Sequence, residues 1–154
     1  MKSTSLGAIP VRGTANGRFR MKTRAFLVFC AVGLVPIALG YGAKPTSSLD
    51  ALFGITVDST NLKHIMRAVM GLYLGMVVLW LWGAVKSQMT GPALVSCAVF
   101  MLGLAAGRIL SFILDGMPHW LLVVYAVLEI VLGLIAIGLY KQYNPEETTA
   151  AEYR

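Results

Sequence analysis

WLLVVYAVLEIVLGLIAIGLY, residues 120–140, is an apolar run broken by one ionisable side chain, Glu129. At roughly 1.5 Å of rise per residue such a run makes a helix about as long as the hydrocarbon core of a bilayer is thick. Three further stretches have the same character, 25–41, 65–85 and 93–114. A transmembrane β-barrel would instead alternate apolar and polar residues over segments of roughly ten. The runs here are continuous. The sequence therefore predicts an all-α membrane protein, an antiparallel bundle of four transmembrane helices within residues 25–140.

Composition agrees. The 154 residues are 57% hydrophobic and the mean hydropathy is +0.73, which leaves little soluble mass. The net charge of +6 is a topology signal rather than a nucleic-acid signal. Six of the thirteen basic residues (Lys2, Arg12, Arg18, Arg20, Lys22 and Arg24) precede the first span, and no acidic residue does. Basic flanks hold that end in the cytoplasm. Four crossings then return the 141–154 tail, with Glu146, Glu147 and Glu152, to the same side. Residues 1–24 read either as a disordered basic arm or, in part, as sequence upstream of a start at Met21. The first span reads as a retained anchor rather than a signal peptide, since its apolar core is too long and holds Pro36.

The connections carry turn residues. Leu49-Asp-Ala-Leu-Phe-Gly54 suits a short amphipathic turn on the membrane surface, and Asp58 to Asn61 supply caps for the second span. Lys86 to Pro92 reads as a loop, with Pro92 in the first turn of the third span. Asp115-Gly116-Met117-Pro118 makes the last turn.

Charge inside the spans is the sharper signal. A charged residue on an isolated span costs roughly 2.5–3.5 kcal/mol on insertion scales, so such residues pair or line a polar cavity. Arg67, Arg108 and Glu129 lie within spans, with His64 and Asp115 at their ends. Topology puts all five in one half of the bundle, and they form the expected polar cluster. Arg108 and Glu129 on consecutive helices are candidates for an ion pair; with Arg67 and Asp115 they would alternatively line a pocket for an anion, with Glu129 accepting a proton. Gly71-Leu-Tyr-Leu-Gly75 and Gly103-Leu-Ala-Ala-Gly107 are G-x-x-x-G motifs, and these glycines with Gly133 are expected at helix contacts, where small residues let backbones approach. Trp80, Trp82, Trp120, Tyr41 and Tyr140 are expected as interface anchors.

Other chemistries have weaker signals. His64 and His119 each begin a helix and offer a haem-ligand pair, although both lie at the interface. There is no Glu-x-x-His for a di-iron centre, no Walker loop and no G-x-S-x-G or zinc-protease motif. No metal is expected. Cys30 and Cys97 read as small packing residues, since neither belongs to a C-x-x-C.

The segment His64-Ile-Met-Arg-Ala-Val-Met-Gly-Leu-Tyr-Leu-Gly75, with Gly107-Arg108 and Asp115-Gly116-Met117-Pro118, resembles bacterial membrane proteins grouped as domain of unknown function 4345. The resemblance covers roughly residues 24–140 and implies a compact four-helix inner-membrane protein with no assigned activity. A looser, fold-level similarity links the chain to the DoxX-like group, some of whose members accompany quinone-linked oxidoreductases. Two functional classes follow. One is a non-enzymatic accessory protein whose buried charges hold helices or a partner, with the lipid bilayer, a second copy or a membrane subunit as its associates. The other is a binding or transport module for an anion, a quinone or a proton, using Arg67, Arg108 and Glu129.

Overall fold

The computed structural model describes residues 13–143, with side chains from Gly17 onward. Five helices follow in order: α1 (Gly13–Gly42), α2 (Pro45–Phe53), α3 (Thr60–Val85), α4 (Ser87–Leu114) and α5 (Trp120–Gln142). Four of them are long and apolar enough to cross a membrane. This is a multi-pass membrane protein.

Helix α1 begins well before the expected residue 25, so the part of the expected disordered arm from residue 13 to 24 is helical. Arg, Lys and Met carry helix through this stretch because their straight side chains lose little freedom in it. Tertiary contact then fixes it: Thr23 is buried, its hydroxyl satisfied within α1 by the Phe19 carbonyl at 3.1 Å, and Arg20 donates to Ser87 Oγ of α4 at 3.0 Å. Residues 1–12 and 144–154, including the expected acidic tail and the question of Met1 as the start, lie outside the described residues.

The expected loop 86–92 shrinks to Lys86 alone, in extended conformation at φ −100° and ψ 117°. Two features allow so tight a turn. Gly83 lets α4 approach, since a Cβ there would collide with the Ala93 side chain and stand 3.0 Å from the Met89 carbonyl oxygen. Thr90 donates to the Gly83 carbonyl at 2.8 Å, tying the two helix ends together. Pro92 consequently falls inside α4 rather than at its first turn.

At the opposite end the expected surface turn becomes a full helix, α2, begun at Pro45 and ended by Gly54 at φ +68°, a left-handed position that glycine adopts without strain. Its Leu49 and the following Val57 are buried, so α2 plugs the end of α1 and α3. Gly116, at φ +90°, makes the α4–α5 turn.

The long helices pack in sequence order, α1 on α3, α3 on α4 and α4 on α5, whereas α1 and α5 are not packed closely on each other. The buried stripe of α3 is Tyr73, Val77, Trp80 and Ala84; that of α4 runs through Leu94, Cys97, Met101 and Ala105. At 100° per residue, Gly71 and Gly75 lie on the far side of α3 from this stripe, as do Gly103 and Gly107 on α4. All four are exposed, and a Cβ at each would meet nothing within 4 Å. Within the chain they are not contact residues, contrary to expectation. Large core side chains took the inward faces and left the small residues outside. Gly133 lies close against α4, with a Cβ there 2.7 Å from the Leu102 side chain.

Trp80 also departs from expectation. It is fully buried and donates through Nε1 to Ser96 Oγ at 3.2 Å, so it belongs to the core. Trp82, Trp120 and Tyr140 are exposed near helix ends, as amphipathic interface residues would be.

Candidate functional site

Arg108 continues the buried stripe of α4 one turn beyond Ala105, and Glu129 sits in the buried stripe Ala126, Glu129, Gly133, Ala136 of α5. The close packing of these helices at Gly133 brings the two together. Arg108 Nε donates to Glu129 Oε1 at 3.0 Å and Oε2 at 2.9 Å. Their side chains are only 16% and 10% exposed. This is the single ion pair among the described residues. It satisfies both carboxylate oxygens through one nitrogen, which leaves the terminal guanidinium N–H groups to face Tyr41 and any further acceptor.

Aromatic groups enclose the pair. The Arg108 guanidinium carbon stands 5.7 Å from the Tyr125 ring centroid, a cation–π distance. Tyr41 of α1 is the guanidinium's other neighbour. Tyr41 meets Tyr73 edge-on at 5.8 Å and stacks on Phe53 of α2 at 6.3 Å, and Phe53 meets His119 edge-on at 6.2 Å. A chain of aromatic side chains from α1, α2, α3 and α5 thus runs beside the polar centre.

The residues expected beside it divide. His64 and Arg67 are exposed on α3, on the stripe that also carries Gly71 and Gly75 and points away from the core. Asp115 is exposed at the end of α4, where it accepts from Ser111 Oγ at 2.7 Å. None of the three has a described contact with the Arg108–Glu129 pair. His119 caps α5, its Nδ1 accepting from the Leu121 amide at 3.4 Å, and no described contact joins it to His64. Among the described residues no three His, Cys, Asp or Glu side chains gather as a metal site.

One feature was invisible in the sequence. The seam between α1 and α5 is open and forms a cavity of about 150 Å³, floored by Tyr73 and Met101 and walled by Gly33, Leu34, Leu132 and Glu129. A second cavity of about 200 Å³, between α1, α2 and α5, shares Ile37 and Tyr125 with the first. Together they reach the lower end of the roughly 300–1,000 Å³ typical of ligand sites. The lining is apolar apart from the Glu129 carboxylate and the tyrosine hydroxyls. Cys30 lies in the same wall, buried beside Cys97 of α4 in the core, and both thiols are free.

The family model described as domain of unknown function (DUF4345) matches residues 22–142. The chain belongs to that family. Comparison with curated proteins gives no match, and comparison with solved structures gives none. The looser similarity to the DoxX-like group is not shown by these comparisons.

Proposed function

We propose that this member of the family is a membrane-embedded binding module for an amphiphilic small molecule. A long apolar tail enters the α1–α5 seam, and an uncharged, hydrogen-bond-accepting head meets Arg108 beside Tyr41 and Tyr125. The observation that carries the reading is the seam itself: a lateral apolar cavity whose wall includes Glu129, the carboxylate that neutralises the buried Arg108 behind it. Glu129 already cancels the charge of Arg108, so the site calls for no net charge on its ligand. The terminal guanidinium nitrogens supply donors for a carbonyl, ether or similar group.

Gly33 provides the test. It lines the seam, and a Cβ there would meet nothing within 4 Å. Gly33→Phe places its Cβ without a clash and should put its ring across the seam. Protein purified in mild detergent should release a defined amphiphile, near one per chain, on solvent extraction and mass spectrometry. The variant should keep its melting temperature and lose that molecule. Identical bulk lipid from both proteins would sink the proposal.

A second reading, an accessory protein seated against another membrane helix, is favoured by the outward-facing Gly71, Gly75, Gly103 and Gly107, which leave open room for close helix approach. Cross-linking from cysteines placed at positions 71 and 103 would capture a second copy or another subunit. In either case we read the protein as resident in a bacterial inner membrane with both termini cytoplasmic. The basic residues ahead of the first crossing support that orientation, and reporter fusions after Met21 and Tyr143 test it.

A further inference from the structure

The end of the bundle at the Lys86 turn has no part in the site above, yet it concentrates charge of one sign. Arg18, Arg20, Lys22, Arg24, Lys86 and Lys141 gather there. All four described acidic residues lie elsewhere: Asp50, Asp58 and Asp115 at the α2 end and Glu129 in mid-span. Two of the arginines share one face of α1. Arg20 and Arg24, one helical turn apart, share an open face of α1 with Gly17, Met21, Ala25 and Val28. Arg20 is held in place, its Nη2 donating to Ser87 Oγ at 3.0 Å. Ser87 is itself buried, and its carbonyl accepts from the Tyr143 hydroxyl at 2.9 Å. Arg24 is exposed beside it.

The layout is amphiphilic along the helix axis. Two guanidinium groups stand at the top, and an apolar floor from Met21 to Val28 descends from them, about 12 Å from Arg20 to Val28 at 1.5 Å per residue. Guanidinium groups bind phosphate oxygens with matched geometry, and cationic residues beside a span attract anionic lipid. We propose that Arg20 and Arg24 bind the phosphate of an anionic phospholipid whose upper acyl chain lies over Ala25 and Val28. The apolar floor favours a lipid over a free phosphate ion, which would leave Met21, Ala25 and Val28 without a partner.

The test uses the full chain in nanodiscs and in detergent. Native mass spectrometry with equal phosphatidylglycerol and phosphatidylcholine should show at least a tenfold preference for phosphatidylglycerol. Arg24→Gln, which touches no described hydrogen bond, should keep the melting temperature and cut the preference several-fold. Arg20→Gln with Arg24→Gln should abolish it, whereas Arg20→Lys should retain part. Inorganic phosphate at millimolar concentration should leave the bound lipid in place. Equal retention of the two lipids by the unmodified chain, or unchanged preference in Arg24→Gln and in the double variant, overturns the proposal. So does full displacement by phosphate, which would leave a simple anion site. A preference that arises only after Glu146→Gln with Glu147→Gln would give the arginines to the chain's own acidic tail, and overturns it too.

Discussion

Replacing Arg108 or Glu129 by leucine removes one half of a pair that is only 16% and 10% exposed, with nitrogen–oxygen distances of 2.9–3.0 Å. The magnitude follows from what is left behind. Breaking a buried pair typically costs about 3–5 kcal/mol because the surviving charge keeps its desolvation penalty without its partner. That is roughly two to three and a half powers of ten in the folding equilibrium. Arg108→Leu also gives up the contact with the Tyr125 ring at 5.7 Å, a further contribution of about 1–2 kcal/mol where it is desolvated. Glu129→Leu leaves an arginine whose long stem can carry its head toward the α2 end, which limits the damage. Arg108→Leu is therefore the more costly single change. Arg108→Leu with Glu129→Leu leaves no buried charge and is expected to cost less than either alone. The assay is unfolding in mixed micelles, followed by far-ultraviolet dichroism and by the fluorescence of the fully buried Trp80. Costs that add to within about 0.5 kcal/mol would show the two side chains to be energetically independent and would refute the pairing. A stable double variant also separates the functional readings: an accessory role survives in it, and amphiphile binding at Arg108 does not.

Gly83→Ala should destabilise by about 1–3 kcal/mol, since the new methyl collides with Ala93 and nears the Met89 carbonyl; Gly71→Leu should change the melting temperature of the isolated chain little, and equal sensitivity of the two sites would contradict the packing. Tyr143→Phe should cost about 1 kcal/mol through loss of the hydrogen bond to the Ser87 carbonyl. Burial pushes the Tyr143 hydroxyl above the ordinary phenol range, against the opposing pull of the Gly91 backbone and Arg20. The folded state thus holds this proton more tightly than the unfolded chain. Its contribution to stability is full below about pH 10 and fades as pH rises through the folded-state value, so Tyr143→Phe should flatten that part of an alkaline unfolding curve.

Several features needed only the amino-acid sequence. Continuous apolar runs of bilayer length require helices, because a backbone in hydrocarbon must satisfy its own hydrogen bonds. The sequence also offered Arg108 and Glu129 as a pair, since they lie at similar depth on consecutive helices, but left open a wider cluster with Arg67 and Asp115, and only the packing of α4 on α5 separates the two arrangements. The faces of the helices did not follow. In a soluble bundle the polar side of each helix reveals its inward side. In a membrane the lipid-facing side is as apolar as the core, and that periodicity vanishes. Gly71, Gly75, Gly103 and Gly107 therefore looked like contacts and proved to face outward, while Gly83, unremarkable in sequence, sits at the tightest approach. Arg67 and His64 went with the outward stripe for the same reason. The one-residue turn at Lys86 rested on Gly83 meeting Ala93 and on the Thr90 bond, contacts between residues on separate helices. The seam between α1 and α5 is a product of packing order alone: each long helix after α1 found its neighbour, and the first and last did not close on one another.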